Sequence, residues 1–308
     1  MLSVIVCSHN PRWDYFQRCL GALRAQTLPL NRWELLLVDN RSDEPLAPRV
    51  DLSWHADARV IREQTLGLTP ARLRGIRESK DDLLVFVDDD NLLNPDFLEV
   101  ALRIAEERPF LASWSGQCLP EFEEPPPEWT RRYWGNIAIR QFDEDRWSNL
   151  PMLPDTIPCG AGLCVRRNAA LRYLHLHDSG ERRFQADRTG KSLLSGGDND
   201  LAACACDLGF GVGLISSLKL THLIPPERLT VEYLARLVEG IYFSSTLLNA
   251  ERGQREEGRG TVGRIVDFLR VMRSRPPHRQ ILRAAFRGRD RAAQQLLKGQ
   301  FAQTARKL

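Results

Sequence analysis

The stretch Leu83–Leu98, LLVFVDDDNLLNPDFL, decides how this chain is read. Its first five residues are apolar and partly β-branched, as in a strand buried on both faces. Three carboxylates, Asp88, Asp89 and Asp90, stand at the end of that run. Adjacent like charges repel, so the cluster calls for a cation or for hydrogen-bond donors. Hard divalent ions take oxygen ligands and often bridge one or two carboxylates to a substrate phosphate. Residues i and i+2 of a strand share a face, which points Asp88 and Asp90 alike. The plainer alternative is a solvated acidic turn, or caps on the helix that follows.

The surroundings favour a site. SVIVCS (Ser3–Ser8), WELLLVDN (Trp33–Asn40) and the short RVI (Arg59–Ile61) read as further strands. Helical spacing of apolar residues lies between them, over Trp13–Ala25, Thr69–Ser79 and Pro95–Arg108. Continuous apolar strands alternating with helices predict an α/β fold, a mostly parallel sheet covered on both faces. Ligands of such sheets sit beyond the carboxyl ends of the strands, where VDN (Val38–Asn40) and VDDD (Val87–Asp90) both lie.

Beyond residue 119 the pattern changes. Pro120–Pro158 is rich in proline, acids and aromatics with weak periodicity, and reads as a flap or lid. Its Trp129 and Trp134, and the nearby Trp147, suit a sugar or lipid face as well as a core. IPCGAGLCVRR (Ile157–Arg167) returns to a glycine-punctuated strand. GGDNDLAACACDLGFG (Gly196–Gly211) turns into a helix that ends near Gly209. Gly213–Pro225 is a strand or strand pair, and Leu229–Leu248 a helix.

Composition bounds the alternatives. The 308 residues, 43% hydrophobic and 27% charged, are ordinary for a globular protein with an ample core. No run approaches the roughly 18 apolar residues of a membrane span. MLSVIVCSHN has no basic n-region or long apolar h-region, so no secretory signal is expected. Seven cysteines without paired metal-ligand spacing read as reduced, mostly buried hydrophobes, and a cytoplasmic setting is the expectation. The net charge of +3 is uneven. From Arg259 to Leu308 there are thirteen Arg or Lys against two acids, a surplus of +11, which leaves −8 on the rest.

VIVCSHN, LLLVDNRSD, GLTPARLRGI, LLVFVDDDNLLNPDFL, CGAGLCVRR, GGDNDL and LTHLIPPERL occur in that order. Together they resemble the family 2 inverting glycosyltransferases of the GT-A fold, over roughly Leu2–Leu248. The resemblance implies a Rossmann-like nucleotide-sugar-binding half (1–115), an acceptor-binding and catalytic half of the same domain (116–250), and a basic helical extension (251–308). It also implies a nucleoside-diphosphate sugar as donor, UDP by default, with Mn²⁺ or Mg²⁺ on the diphosphate. The acceptor would be a hydroxyl of a glycan, a lipid-linked molecule or a small molecule. No nucleic acid is expected as a partner.

Roles follow from matching positions. Asp90 becomes the metal ligand, Asp88 a ribose or sugar contact, and Asp89 their neighbour in the donor site. Asp39 would bond the nucleobase, or tie the turn NRSD. Ser8, His9 and Asn10 end the first strand beside the same pocket. Arg72 would meet base or phosphate, with Arg74 as the alternative. Gly160 and Gly162, with Ala161 between them, would floor the donor sugar, where side chains obstruct the ring. Asp198 matches the general base and Asp200 a later acid of the same motif. Inversion at an anomeric carbon is one in-line displacement, so a carboxylate must take the attacking hydroxyl's proton; the bland alternative is a helix cap. His222, at a strand end, would complete the metal shell, or be structural. The sequence departs from the family pattern in lacking the usual asparagine before Gly67.

Two other classes compete. A sugar nucleotidyltransferase of similar fold would want a Gly-rich loop with Arg and Lys after the first strand, which is missing. A non-catalytic glycan- or polyanion-binding module would not need both Asp90 and Asp198. The basic segments of 259–308 interleave Arg with apolar residues, as in a solvated basic face or a helix lying on the inner face of a membrane.

Overall fold

The computed structural model describes residues 1–182, 184, 187–190, 192–254 and 261–305. The first half follows the sequence closely. β1 (Leu2–Ser8), β2 (Trp33–Asn40), β3 (Ala58–Glu63) and β4 (Leu83–Asp88) pair in parallel in the order β3-β2-β1-β4. Every residue of β2 and nearly every residue of β1 and β4 is buried, which explains their unbroken apolar runs. Helices α1 (Trp13–Arg24) and α3 (Phe97–Glu107) cover one face, setting Phe16, Leu23 and Phe97 against Val4, Val6 and Val85. On the other face α2 (Leu68–Glu78) sets Ala71 and Ile76 against Ile5, Leu36 and Val38.

The second half of the sheet is mixed. Among the described residues, β5 (Asn91–Leu93), β6 (Leu111–Phe122), β7 (Arg146–Ser148), β8 (Leu163–Arg166) and β9 (Gly211–Ile224) complete nine strands. The order continues β4-β8-β6-β9-β5, with β7 also on β9. β8 is antiparallel to both β4 and β6, and β9 is parallel to β6. Short strands can pair antiparallel without a crossover helix, and that is how β5, β7 and β8 enter. Helices α4 (Arg167–Asp178) and α5 (Gly197–Asp207) join the α2 face. Residues 1–115 and 116–250 therefore contribute strands to one continuous sheet.

Within the 120–158 segment the first part is packed, while residues 143–155 stay on the surface. Its 3-10 stretch Glu128–Ile137 and the following Ile139 join a third core with Ile224, Leu234 and Val238. Those last two residues sit on α6 (Val231–Glu251), which in turn carries α8 (His278–Ala305) through Ile281, Ala284 and Ala285. Gly288 lets the two helices touch, since a Cβ there would collide with the Glu239 carbonyl. α7 (Thr261–Arg273) precedes α8. Residues 255–260 and 306–308 of the expected basic extension lie outside the described residues. All seven cysteines are free, five of them buried.

Candidate active site

A cavity of about 300 Å³ opens at the carboxyl ends of β1 and β4, where the sequence places its acids. Asp88, Asp89 and Asp90 all line it, because β4 ends at Asp88 and the next two residues turn. Each carboxylate has its own counterpart. Asp89 Oδ2 accepts the Ser8 hydroxyl at 2.6 Å. Burial and the neighbouring Asp90 push Asp89 up to about 7, against the pull of that hydroxyl. Burial and Asp90 also raise Asp88, with Arg72 opposing.

Asp90 behaves differently. Burial alone would raise it, yet the Arg228 guanidinium, with Arg188 further off, outweighs burial and holds it well below the usual carboxylate range. Arg228 Nη2 lies 2.9 Å and His222 Nε2 3.3 Å from Asp90 Oδ2. The sheet creates this meeting: β5 pairs antiparallel with β9, setting Asn91 opposite His222, and the Leu223 amide donates to the Asp90 carbonyl. Arg228 Nη1 is 3.0 Å from His222 Nε2. A guanidinium only donates, so Nε2 is the acceptor there. Two acceptors, Nε2 and Oδ2, thus face each other and one guanidinium bridges them. His222 Nδ1 is buried without a hydrogen-bond partner among the described residues. Among the described residues no three His, Cys, Asp or Glu side chains converge as a self-sufficient metal site.

Arg72 is buried on α2 and faces the cavity, donating to Asp187 Oδ2 at 2.9 Å. Two positions on, Arg74 points elsewhere on the helix and pairs with Glu78 at 2.8 Å, which decides between the two arginines. Asp187 also accepts from Thr69 and the Gly197 amide, so α2 and α5 are tied through one carboxylate. Asp198, in the first turn of α5, lines the cavity. Its Oδ2 accepts the Gly160 amide at 2.6 Å, and its Oδ1 makes no hydrogen bond among the described residues. It does not cap its own helix, whose N-cap is Gly196. A Cβ on Gly160 would stand 2.8 Å from Arg72 Nη2 and 3.1 Å from Asp198 Oδ2, so the glycine lets both reach the floor.

Four sequence expectations are corrected. Gly162 is not a floor residue: it has φ +63°, and a Cβ would meet Leu220 and Phe97 in the core. Asp39 does not line the cavity. It is buried against the Ser42 and Leu46 amides and Arg62, so it ties the turn. The neighbouring Asn40 lines the cavity instead, holding Thr65 and the Gly67 amide. Asn10 is an exposed turn residue bonded to Asp43 and Ser42, while Ser8 and His9 do line the cavity. Asp200, expected as a second acid, is turned away and gripped by Arg182 at 2.7 Å and by Arg252 at 2.5 Å.

Arg228 and Arg188 were missed. Arg188 is exposed on the cavity wall and its charge lowers both Asp88 and Asp90. The sequence signal for Arg228 was the rigid Pro225-Pro226 turn just after His222, which returns a basic side chain to the strand end. Arg188 lies in a segment without periodicity and carried no signal. Cys7 also lines the cavity, but burial pushes its thiol up to about 12 and excludes a thiolate nucleophile.

A family model described as glycosyl transferase family 2 matches residues 3–169. An uncharacterized glycosyltransferase of Haemophilus influenzae is 36% identical over 110 residues, 35% of this chain and 36% of that protein. Glucosyl-dolichyl phosphate glucuronosyltransferase of Haloferax volcanii is 26% identical over 131 residues, 41% of each. The matches span about a third of the length of the first curated relatives. S. aureus TarS 1–349 in complex with UDP-GlcNAc superposes with a TM-score of 0.52 at 15% identity, over 92% of this chain and 79% of that one. The same protein in complex with UDP gives 0.51 at 17%, over 77% and 64%. These structures share the GT-A fold with the present one. With an acid-ended parallel sheet at its centre and more than half its length matched by the family model, the chain belongs to glycosyl transferase family 2.

Proposed function

We propose that this chain is an inverting glycosyltransferase that moves a sugar from a nucleoside-diphosphate sugar, UDP-linked by default, to an acceptor hydroxyl. One observation carries the reading: three carboxylates, three arginines and Asp198 converge on a single cavity at the strand ends. The arginines 72, 188 and 228 suit a diphosphate and would offset the charge that develops on it as it departs. Arg72 is fixed by Asp187 before any ligand arrives, so little reorganisation accompanies its use. Gly160 keeps the floor low enough for a sugar ring. Asp198 lines the cavity, and its Oδ1, without a hydrogen bond among the described residues, would take the acceptor proton while the Gly160 amide holds Oδ2.

The donor set also fits Mn²⁺ or Mg²⁺. Asp90 Oδ2 and His222 Nε2 are two acceptors aimed at one point, now spanned by a guanidinium, and a hard ion takes its other ligands from phosphates and water. Asp90 and His222 would hold the ion, which supplies positive charge to the diphosphate. TarS in complex with UDP and with UDP-GlcNAc supports the choice of donor nucleotide, by fold alone. Acceptors of the glycan, lipid-linked or small-molecule hydroxyl class all remain within this reading.

The test combines ligand screening with product analysis. UDP-sugars should raise the melting temperature with Mn²⁺ or Mg²⁺ present, and NMR of the product should show the opposite anomeric configuration to the donor. Pyrophosphate release would assign the chain to nucleotidyl transfer instead, and retained configuration would remove Asp198 from its role.

A further inference from the structure

α7 is packed the wrong way round for a globular helix. Val262, Ile265, Val266, Phe268, Leu269 and Met272 are all exposed, Val262 by 75% and Phe268 by 62%. At about 100° per residue these six fall within an arc of about 160°. The opposite side faces the protein: Val271 is buried, and buried Asp267 pairs with Arg289 of α8 at 2.6 Å. The helix is thus held to the body by its narrow side and presents its broad apolar side outward. Exposed Arg270 borders that side, exposed Arg273 rises from within one edge of it in the last turn, and exposed Arg275 follows.

We infer that the outward face of α7 docks on an anionic lipid bilayer, with the helix lying in the plane of the interface. The apolar arc would enter the headgroup boundary while Arg270, at its border, and the long side chain of Arg273, at its edge, reach up to lipid phosphates. Charge decides between occupants. The 259–308 region carries a surplus of +11, so a second copy would bring two strongly basic surfaces together, whereas an anionic membrane is complementary. Spanning is not available, since among the described residues no helix is long and apolar enough to cross a membrane. The inference stands on α7 alone and is independent of the reading of the cavity.

The test is co-sedimentation of the full chain with vesicles of phosphatidylcholine, with and without phosphatidylglycerol. The chain should pellet with the anionic vesicles and be released by salt. The double variant Ile265→Glu/Leu269→Glu should lose more than about tenfold in partitioning while keeping its melting temperature, because both residues are already exposed. Arg270→Ala and Arg273→Ala should each weaken binding by about fivefold. As a measurement free of folding concerns, Phe268→Trp should gain fluorescence quenching by brominated lipids relative to the parent chain. The inference is overturned if the parent stays in the supernatant, if the double variant pellets undiminished, or if F268W shows no added quenching. A lipid-free dimer that the double variant abolishes would likewise overturn it in favour of a second copy.

Discussion

Asp198 lines the cavity and holds the Gly160 amide through Oδ2, which leaves Oδ1 without a hydrogen bond among the described residues. Asp198→Asn keeps the hydrogen bond to that amide but cannot accept a proton at neutral pH. We expect kcat to fall by about 10²–10⁴-fold, with nucleotide affinity by calorimetry within about twofold of the parent. Gly160→Ala acts on the same pair sterically, since the new methyl would push Arg72 and Asp198 apart. Misplacement by about 1 Å costs up to about 10²-fold, so kcat should drop between tenfold and that limit with little change in melting temperature. Arg228 makes an opposite kind of prediction. Arg228→Met frees both acceptors that it bridges, so Mn²⁺ binding measured by the loss of free-ion EPR signal should strengthen several-fold. Unchanged Mn²⁺ affinity would show that the guanidinium and the ion do not share a place.

At the scale of elements, legibility followed burial on both faces. β2 is buried throughout and β1 and β4 nearly so, and they read directly as apolar runs. β5, β7 and β8 have three or four residues each, too few for a period, and the sheet became mixed without a sequence sign. Asp198 and Asp200 show why spacing alone misassigns a role. Two positions apart on a helix, they point about 200° apart, so only one can face the cavity. Arg228 was hidden for another reason: it lies far from Asp90 in sequence and meets it only through the β5–β9 register. That register is strict, because a one-residue slip would carry His222 to the other face.

The turn after β2 gives a pH prediction. Burial would raise Asp39, but the Ser42 and Leu46 amides, the Ser42 hydroxyl and Arg62 outweigh it and lower its pKa. A carboxyl held low when folded adds stability that is full above its unfolded pKa and disappears as pH falls through the folded one. Asp39→Asn should therefore cost about 1–3 kcal/mol at pH 7, and the gap to the parent should begin to narrow below about pH 4 and go on narrowing as pH falls through the lowered folded pKa. Urea denaturation at pH 7 and at pH 3 checks both the cost and its narrowing.

For the whole molecule, the central sheet and its site at the strand ends were readable from one acidic triplet and its flanks. The fate of the C-terminal third was not. Basic, interleaved helices can be solvated, lipid-facing or docked, and hydrophobic spacing does not say which side faces the body. The structure splits the answer: α8 is welded to α6, while α7 turns its apolar side out. Gly288→Val tests the weld, because the new side chain would strike the Glu239 backbone of α6. A loss of about 2–4 kcal/mol in unfolding free energy is expected.

Arg252 has a practical consequence for how the chain can be shortened. It stands just past residue 250, where the sequence suggests that the transferase unit stops and an appendage begins. Yet it reaches back to clamp Asp200, two residues from Asp198. Trimming at 250 would release the helix that carries Asp198, and trimming at 254 would still strip α8 from the core it covers. The C-terminal residues are not a detachable handle, and their surface properties are best altered by point substitutions in the full-length chain.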